Sequence, residues 1–136
     1  MTSAPHLFRA LADRTRLRIV NLLARRSLCV CDIQRILEQP QSSVSRHLAL
    51  LKSAGLIEDR RDGMRTFYGL TAWETPLARG ILAAIRGHLA AEGDYLRDVE
   101  ELTELRARGE CHEEPTRVRS RAPTTRRRRA EASLEA

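Results

Sequence analysis

The sequence predicts a mainly α-helical domain carrying one small β-hairpin, and three observations predict it. Apolar and polar positions alternate at helical spacing with few breakers over residues 4–109. Pro40 and Gly55 cut out two short neighbouring helices. Asp62-Gly63 separates two short strand-like runs.

The first helix is expected over about residues 4–12. Asp13 then caps a second helix, in which Leu17, Val20 and Ala24 form a stripe beside Ile19 and Leu23. Both are amphipathic, with their arginines expected outward. A third, short helix covers about residues 30–38 with Ile33, Ile36 and Leu37 inward, and ends at Gln39-Pro40 because proline removes a donor and disfavours helix in the residue before it. Ser42 or Ser43 is the expected cap of a fourth helix running to Ala54, with Gly55 as its stop. Val44, Leu48 and Leu51 make its buried edge, while Ser45, Ala49 and Lys52 face the other way with Arg46 beside them. Two short helices joined by a tight turn, the second with a small and polar outer face, form a helix-turn-helix.

The run LIEDRRDGMRTFYGL follows, and Asp62-Gly63 fits a two-residue type I′ turn, which makes the hairpin a wing. Arg60, Arg61 and Arg65 cluster round its tip, placed to touch phosphate or enter the minor groove. The last ordered element starts near Pro76 and carries Leu77, Ile81, Ile85, Leu89, Leu96, Val99 and Leu102 on one stripe. Close packing against a partner is expected at Gly80 and Gly87 and a break at Gly93. With the small core already closed, the stripe is expected to be buried in a dimer.

The formal charge of +6 favours a polyanionic partner. Residues 9–26 hold six arginines and one acid, Asp13, whereas residues 92–104 hold six acids and one arginine, Arg97, so the two ends face different tasks. No apolar run is long enough for a bilayer and the start lacks a secretory signal, which points to the cytoplasm and to no membrane partner. Cys29, Cys31 and Cys111 are therefore expected as reduced thiols, either ligands or buried groups. The division read from composition is a folded domain over 1–109 and a basic, disordered tail over 110–136, whose Arg126–Arg129 run reads as a solvated charge cluster.

The order of elements, with the segments LFRALADRTRLRIVNLL, SLCVCDIQRIL, QSSVSRHLALLKSAGLI and RTFYGL, resembles the ArsR/SmtB family of metal-responsive winged helix-turn-helix repressors over roughly residues 6–105. The resemblance implies a homodimer through the first and last helices. It implies one recognition helix per subunit in successive major grooves, reading DNA through Gln41, Ser42, Ser43, Ser45 and Arg46. Two-fold symmetry then predicts an inverted-repeat operator with half-sites about 34 Å apart. Lys52 and the wing arginines complete the expected DNA surface.

The segment LCVCD looks like the thiolate box of the family's arsenic, antimony, cadmium and lead sensors, and soft thiolates prefer such metals. The arsenic sensors it resembles often carry a further cysteine where this chain has Gln34. Cys29 and Cys31 thus need a third sulfur for an all-thiolate site, supplied by Cys111 or by a small cellular thiol; equally, Cys111-His112-Glu113-Glu114 reads as an idle piece of the tail. The zinc-type and nickel-type sensors place ligands on the last helix, where this chain offers His88 and Glu92 without the preceding aspartate-histidine pair. His88, His47 and His6 read as ordinary packed residues. In an intact helix Cys29 and Cys31 would point nearly opposite ways, so joint binding is expected to need an irregular or unwound first turn.

The reading that results is a DNA-binding repressor, not an enzyme. It requires no cofactor to bind DNA and is released by As(III) or Sb(III), with Cd(II) and Pb(II) as further effectors. A repressor of the same fold whose cysteines answer oxidants or persulfides is the alternative. A thiol-disulfide oxidoreductase is disfavoured because no strand-helix-strand alternation surrounds the C-x-C.

Overall fold

The computed structural model describes residues 3–114. The elements in order are α1 (Ala4–Leu11), α2 (Arg14–Leu23), β1 (Leu28–Cys29), α3 (Val30–Leu37), α4 (Gln41–Ser53), β2 (Ile57–Asp62), β3 (Arg65–Leu70), α5 (Pro76–Gly87), a 3-10 turn (Leu89–Ala91) and α6 (Gly93–Ala107). The expectations for the tail from residue 115 onward, the Arg126–Arg129 run included, lie outside the described residues.

Asp13 starts α2 as expected, its carboxylate accepting the Arg16 N–H at 3.0 Å. Ile19, Val20, Asn21, Leu22 and Leu23 are all buried, because α2 is covered from several sides, by α1, α3, α4 and α6. That enclosure turns two of its three arginines inward, against the expectation, while Arg14 stays exposed as expected and pairs with Asp94. Arg16 turns in to donate to the Ala10 carbonyl at 2.6 Å, and Arg18 grips Asp98 of α6 through two hydrogen bonds of 2.8 Å.

The helix-turn-helix is α3 and α4. Glu38 closes α3 in the left-handed region at φ 54°, and Pro40, not Ser42 or Ser43, is the residue preceding α4, with no side-chain cap. Ser43 donates instead to Gln39 Oε1 at 3.1 Å, while Gln39 Nε2 donates to Thr15 Oγ1 at 3.1 Å. Gln39 thereby ties the turn to the start of α2. Val44, Leu48 and Leu51 fill the core side of α4.

The sheet has three strands in the order β1-β3-β2, all antiparallel. Strand β1 is a feature the sequence reading lacked: Leu28 pairs with Tyr68 and Cys29 with Phe67. The wing turn also shifts by one residue. Asp62 pairs with Arg65, so the two loop residues are Gly63 and Met64, and positive φ at Gly63 (60°) without one at Met64 is the sign pattern of type II′, not type I′. A Cβ at Gly69 would stand 2.7 Å from the Ser27 hydroxyl, which is how closely the chain entering β1 approaches β3.

Beyond the wing, Thr75 caps α5 and Pro76 occupies its first turn. The expected break at Gly93 is present: the element that starts at Pro76 is two helices, interrupted at His88 to Glu92 and restarted at Gly93 with φ 42°. Its apolar stripe divides accordingly. Ile85 and Leu102, with Ala78 and Leu105, enter this chain's own core, whereas Leu77 and Leu96 stay exposed. A Cβ at Gly80 or Gly87 meets nothing within 4 Å in the chain. No helix of the described residues is long and apolar enough to cross a membrane.

Candidate functional site

Cys29 ends β1 and caps α3, with extended backbone (φ −74°, ψ 154°), and its sulfur accepts the Asp32 N–H at 3.3 Å. Cys31 lies one residue inside the helix. The helix therefore begins between the two cysteines, so their side chains converge without any unwinding, contrary to the argument from an intact helix. The Cα atoms are 5.4 Å apart and the sulfurs are joined in a disulfide, where the sequence reading expected free thiols. Cys29 is buried and Cys31 exposed, which leaves one sulfur of the pair open to solvent reagents.

The chain returns to this point after α6. His112 Nδ1 stands 3.5 Å from Cys31 Sγ, 3.7 Å from Cys29 Sγ and 3.0 Å from Asp32 Oδ1. One ligand atom from each of Cys29, Cys31, Asp32 and His112 lies within 4.8 Å of the others, the set best placed to hold a metal among the described residues. Asp32 is buried in the first turn of α3, where the helix N-terminus favours a carboxylate, and its other oxygen accepts the His112 N–H at 2.8 Å and the Cys111 thiol at 3.4 Å.

Cys111, offered in the sequence as a source of a third sulfur beside a small thiol or as an idle residue, is placed on Asp32 and is not one of the four. Burial first, and then the negative charge of Asp32, push its thiol up to about 11, which keeps it a protonated donor at neutral pH. His112 was passed over in the sequence because it sat in a fragment read as tail; the signal available was its place beside Cys111. Gln34 shows its role through the backbone, its carbonyl accepting from Glu38 and Gln39 at the end of α3.

The residues around His112 form an acidic strap across basic side chains. Glu110 meets Arg35 at 2.6 Å and Arg108 at 2.7 Å, Glu113 meets Arg26 at 3.5 Å, and Glu114 meets Arg60 at 2.5 Å. Hydrogen bonds from Arg35 and then Arg108 hold the Glu110 carboxyl below its usual range. The folded contacts accordingly run through residue 114.

Of the residues expected to read DNA, Gln41, Ser42, Ser45 and Arg46 are exposed on α4 and Ser43 is half-buried against Gln39. Lys52 pairs with Asp59 at 2.9 Å, tying α4 to β2. Arg61 and Arg65 are exposed beside the wing turn, while Arg60 is held by Glu114. His47 bridges α4 to the α1–α2 corner, 3.3 Å from Arg16 and 3.8 Å from Asp13. His6, His88 and Glu92 are exposed and none joins the cysteine cluster.

Residues 13–59 match the family described as "Bacterial regulatory protein, arsR family". The chain is 37% identical over 102 residues to the arsenic resistance transcriptional regulator ArsR1 of Pseudomonas putida, covering 71% of this chain and 80% of that protein. It is 52% identical over 66 residues to the arsenical resistance operon repressor of Escherichia coli, covering 48% of this chain and 56% of that protein. The structure is similar to the homodimeric winged helix-turn-helix DNA-binding domain Mb0332 of Mycobacterium bovis, solved in solution by NMR, with a TM-score of 0.53 and 30% identity over 65% of this chain and 82% of that one. Helix-turn-helix, wing and sequence agree: the chain belongs to the arsR family, DNA-binding transcription regulators of winged helix-turn-helix fold and not enzymes.

Proposed function

We propose that the protein is a homodimeric, cytoplasmic repressor that binds an inverted-repeat operator and leaves it when Cys29 and Cys31, as thiolates, capture a thiophilic metalloid. Arsenite and antimonite are the preferred effectors, with Cd(II) and Pb(II) in the same soft class. The observation that carries the reading is the convergence of the two sulfurs at the start of α3, which reaches α4 through Glu38, Gln39 and Pro40 alone. A ligand that changes the first turn of α3 acts at one end of a rigid helix whose other end sets α4. The arsenic-related names of the Pseudomonas and Escherichia relatives support the choice of effector.

DNA contact is assigned to Gln41, Ser42, Ser43, Ser45, Arg46 and Lys52 on and beside the recognition face, and to Arg60, Arg61 and Arg65 on the wing. The exposed Phe8 of α1 and Leu77 of α5 supply apolar surface for the dimer. Coupling between effector and operator is reciprocal, and about 1–3 kcal/mol of it gives a 5–150-fold change in affinity.

The disulfide itself favours a second reading, in which an oxidant closes Cys29 and Cys31 and a reductant reopens them. One experiment separates the two: operator binding by the fully reduced protein, titrated with arsenite, antimonite, Cd(II) and Pb(II), and in parallel with peroxide. Release by arsenite under reducing conditions is the expected result. Release by peroxide alone transfers the assignment to redox sensing, and release by neither leaves a repressor without this switch.

A further inference from the structure

We infer that His112 is a metal ligand and that, with the thiolates of Cys29 and Cys31 and the carboxylate of Asp32, it makes a four-donor site for a borderline divalent cation of the zinc class. The inference rests on the reading of Cys29 and Cys31 as a thiolate pair and goes beyond it in naming the third protein donor and the class of cation that donor selects.

Geometry carries it. Zinc–sulfur bonds near 2.3 Å and zinc–nitrogen bonds near 2.0 Å at a tetrahedral angle put the sulfur and nitrogen about 3.6 Å apart. The separations from His112 Nδ1 to Cys31 Sγ and Cys29 Sγ are 3.5 and 3.7 Å, so the imidazole already stands on two edges of such a tetrahedron. Asp32, with Oδ1 at 3.0 Å from the same nitrogen and a carboxylate oxygen within 4.8 Å of both sulfurs, is the fourth donor in reach. What must open is the edge between the sulfurs, which reduction of the disulfide allows.

The chemistry of the set selects the cation. Trivalent arsenic takes sulfur, and here the chain offers it two, because the third cysteine is engaged by Asp32. An imidazole nitrogen and a carboxylate oxygen add little for arsenic but complete four-coordination for Zn(II), Cd(II) or Co(II). His112 is also held in place before any metal arrives, since its backbone N–H is fixed by Asp32 at 2.8 Å and the flanking Glu113 and Glu114 are paired with Arg26 and Arg60. The site thus joins the start of α3 to a segment about 80 residues later in the chain.

The test uses the full-length protein under anaerobic conditions, reduced by a phosphine. The phosphine takes the oxygen of one water to become its oxide, and each sulfur receives a proton as the S–S bond breaks. Co(II) is the probe, read by its ligand-field bands and by sulfur-to-cobalt charge transfer, with Zn(II) competition giving the affinity. Cobalt is expected to bind with two-thiolate charge-transfer intensity and a four-coordinate visible spectrum. His112→Ala should weaken it by at least about tenfold and change that spectrum, with the thiolate intensity per bound cobalt retained. Cys111→Ser should leave both unchanged. His112→Gln, together with circular dichroism, controls for folding.

A parent-like cobalt spectrum and affinity in His112→Ala overturns the inference, as does loss of one third of the charge-transfer intensity in Cys111→Ser, which would make Cys111 the third donor. Arsenite uptake by His112→Ala separates this from the broader reading. If uptake still requires Cys29 and Cys31, the thiolate sensor stands whatever cobalt does. If neither arsenite nor cobalt needs those cysteines, both readings fall.

Discussion

Glu114 accepts two hydrogen bonds from the Arg60 guanidinium, from Nε at 2.5 Å and from Nη2 at 3.0 Å, so the end of the acidic strap occupies an arginine of the wing with a carboxylate. The fork that grips this carboxylate is the one that would grip a DNA phosphate. Glu114→Ala is therefore expected to strengthen binding to operator and to unrelated DNA alike, and to steepen the log-log salt dependence by about one unit as Arg60 is freed for one more phosphate. Fluorescence anisotropy over a salt series measures this. An unchanged slope would mean that Arg60 does not reach DNA.

Recognition helix and wing should respond differently to truncation. Arg46→Ala is expected to cost at least about 1 kcal/mol of operator affinity, the usual scale of a bidentate base contact, with little change on unrelated DNA. Arg61→Ala should weaken both and flatten the salt slope by about one unit. Parent-like binding by both variants in the same titration would displace α4 and the wing from the interface.

Arg18 and Asp98 join α2 to α6 through two 2.8 Å hydrogen bonds, with side chains 16% and 5% exposed. Asp98→Ala leaves the guanidinium charge without its partner, a change that costs about 3–5 kcal/mol when both groups are buried. The residual exposure of Arg18 places the expected loss at the lower end. Urea denaturation with an unchanged m-value would register it, and a loss below about 1 kcal/mol would show that water replaces Asp98 freely.

How much of this was legible in the sequence depended on the range of the interaction. Asp13, Pro40, Gly55, Pro76 and the i, i+4, i+7 stripe of Val44, Leu48 and Leu51 follow local rules, and the helix-turn-helix could be read from them, as the wing could from Asp62-Gly63. Strand β1 could not, because two residues carry no period and Leu28 and Cys29 are a strand only through Tyr68 and Phe67. Arg16 and Arg18 looked solvated because their partners, the Ala10 carbonyl and Asp98, are brought to them by tertiary packing. The same limit concealed His112, whose contacts with Cys31 and Asp32 span 81 and 80 residues.

The wing turn offers a local test of its register. Gly63 is the loop residue with positive φ, so Gly63→Ala is expected to cost about 1 kcal/mol through backbone strain, whereas Met64→Ala, at an exposed position with ordinary φ, should be close to neutral. A type I′ turn centred on Asp62-Gly63 would instead put residue 62 at positive φ, so Asp62→Gly would then stabilise, whereas ordinary φ at that position predicts a loss. Thermal unfolding measures all three variants, and Asp62→Gly decides between the registers.

The cysteines can be separated by function because serine suits each site differently. At Cys29 the sulfur already serves as the cap of α3, accepting the Asp32 N–H at 3.3 Å, and a serine hydroxyl is a better helix cap than a thiol. Cys29→Ser should thus keep the fold and the operator affinity while losing release by arsenite. Cys31→Ser, at an exposed position in the first turn, should do the same. Cys111→Ser replaces a protonated donor to Asp32 with another donor, so repression and arsenite release should both stay close to the parent's, even without small thiols. Measured side by side on reduced protein, loss of operator binding in the first two variants would make the pair structural. Loss of release in Cys111→Ser alone would move the third sulfur back into the site and require Cys111 to leave Asp32 when arsenite binds.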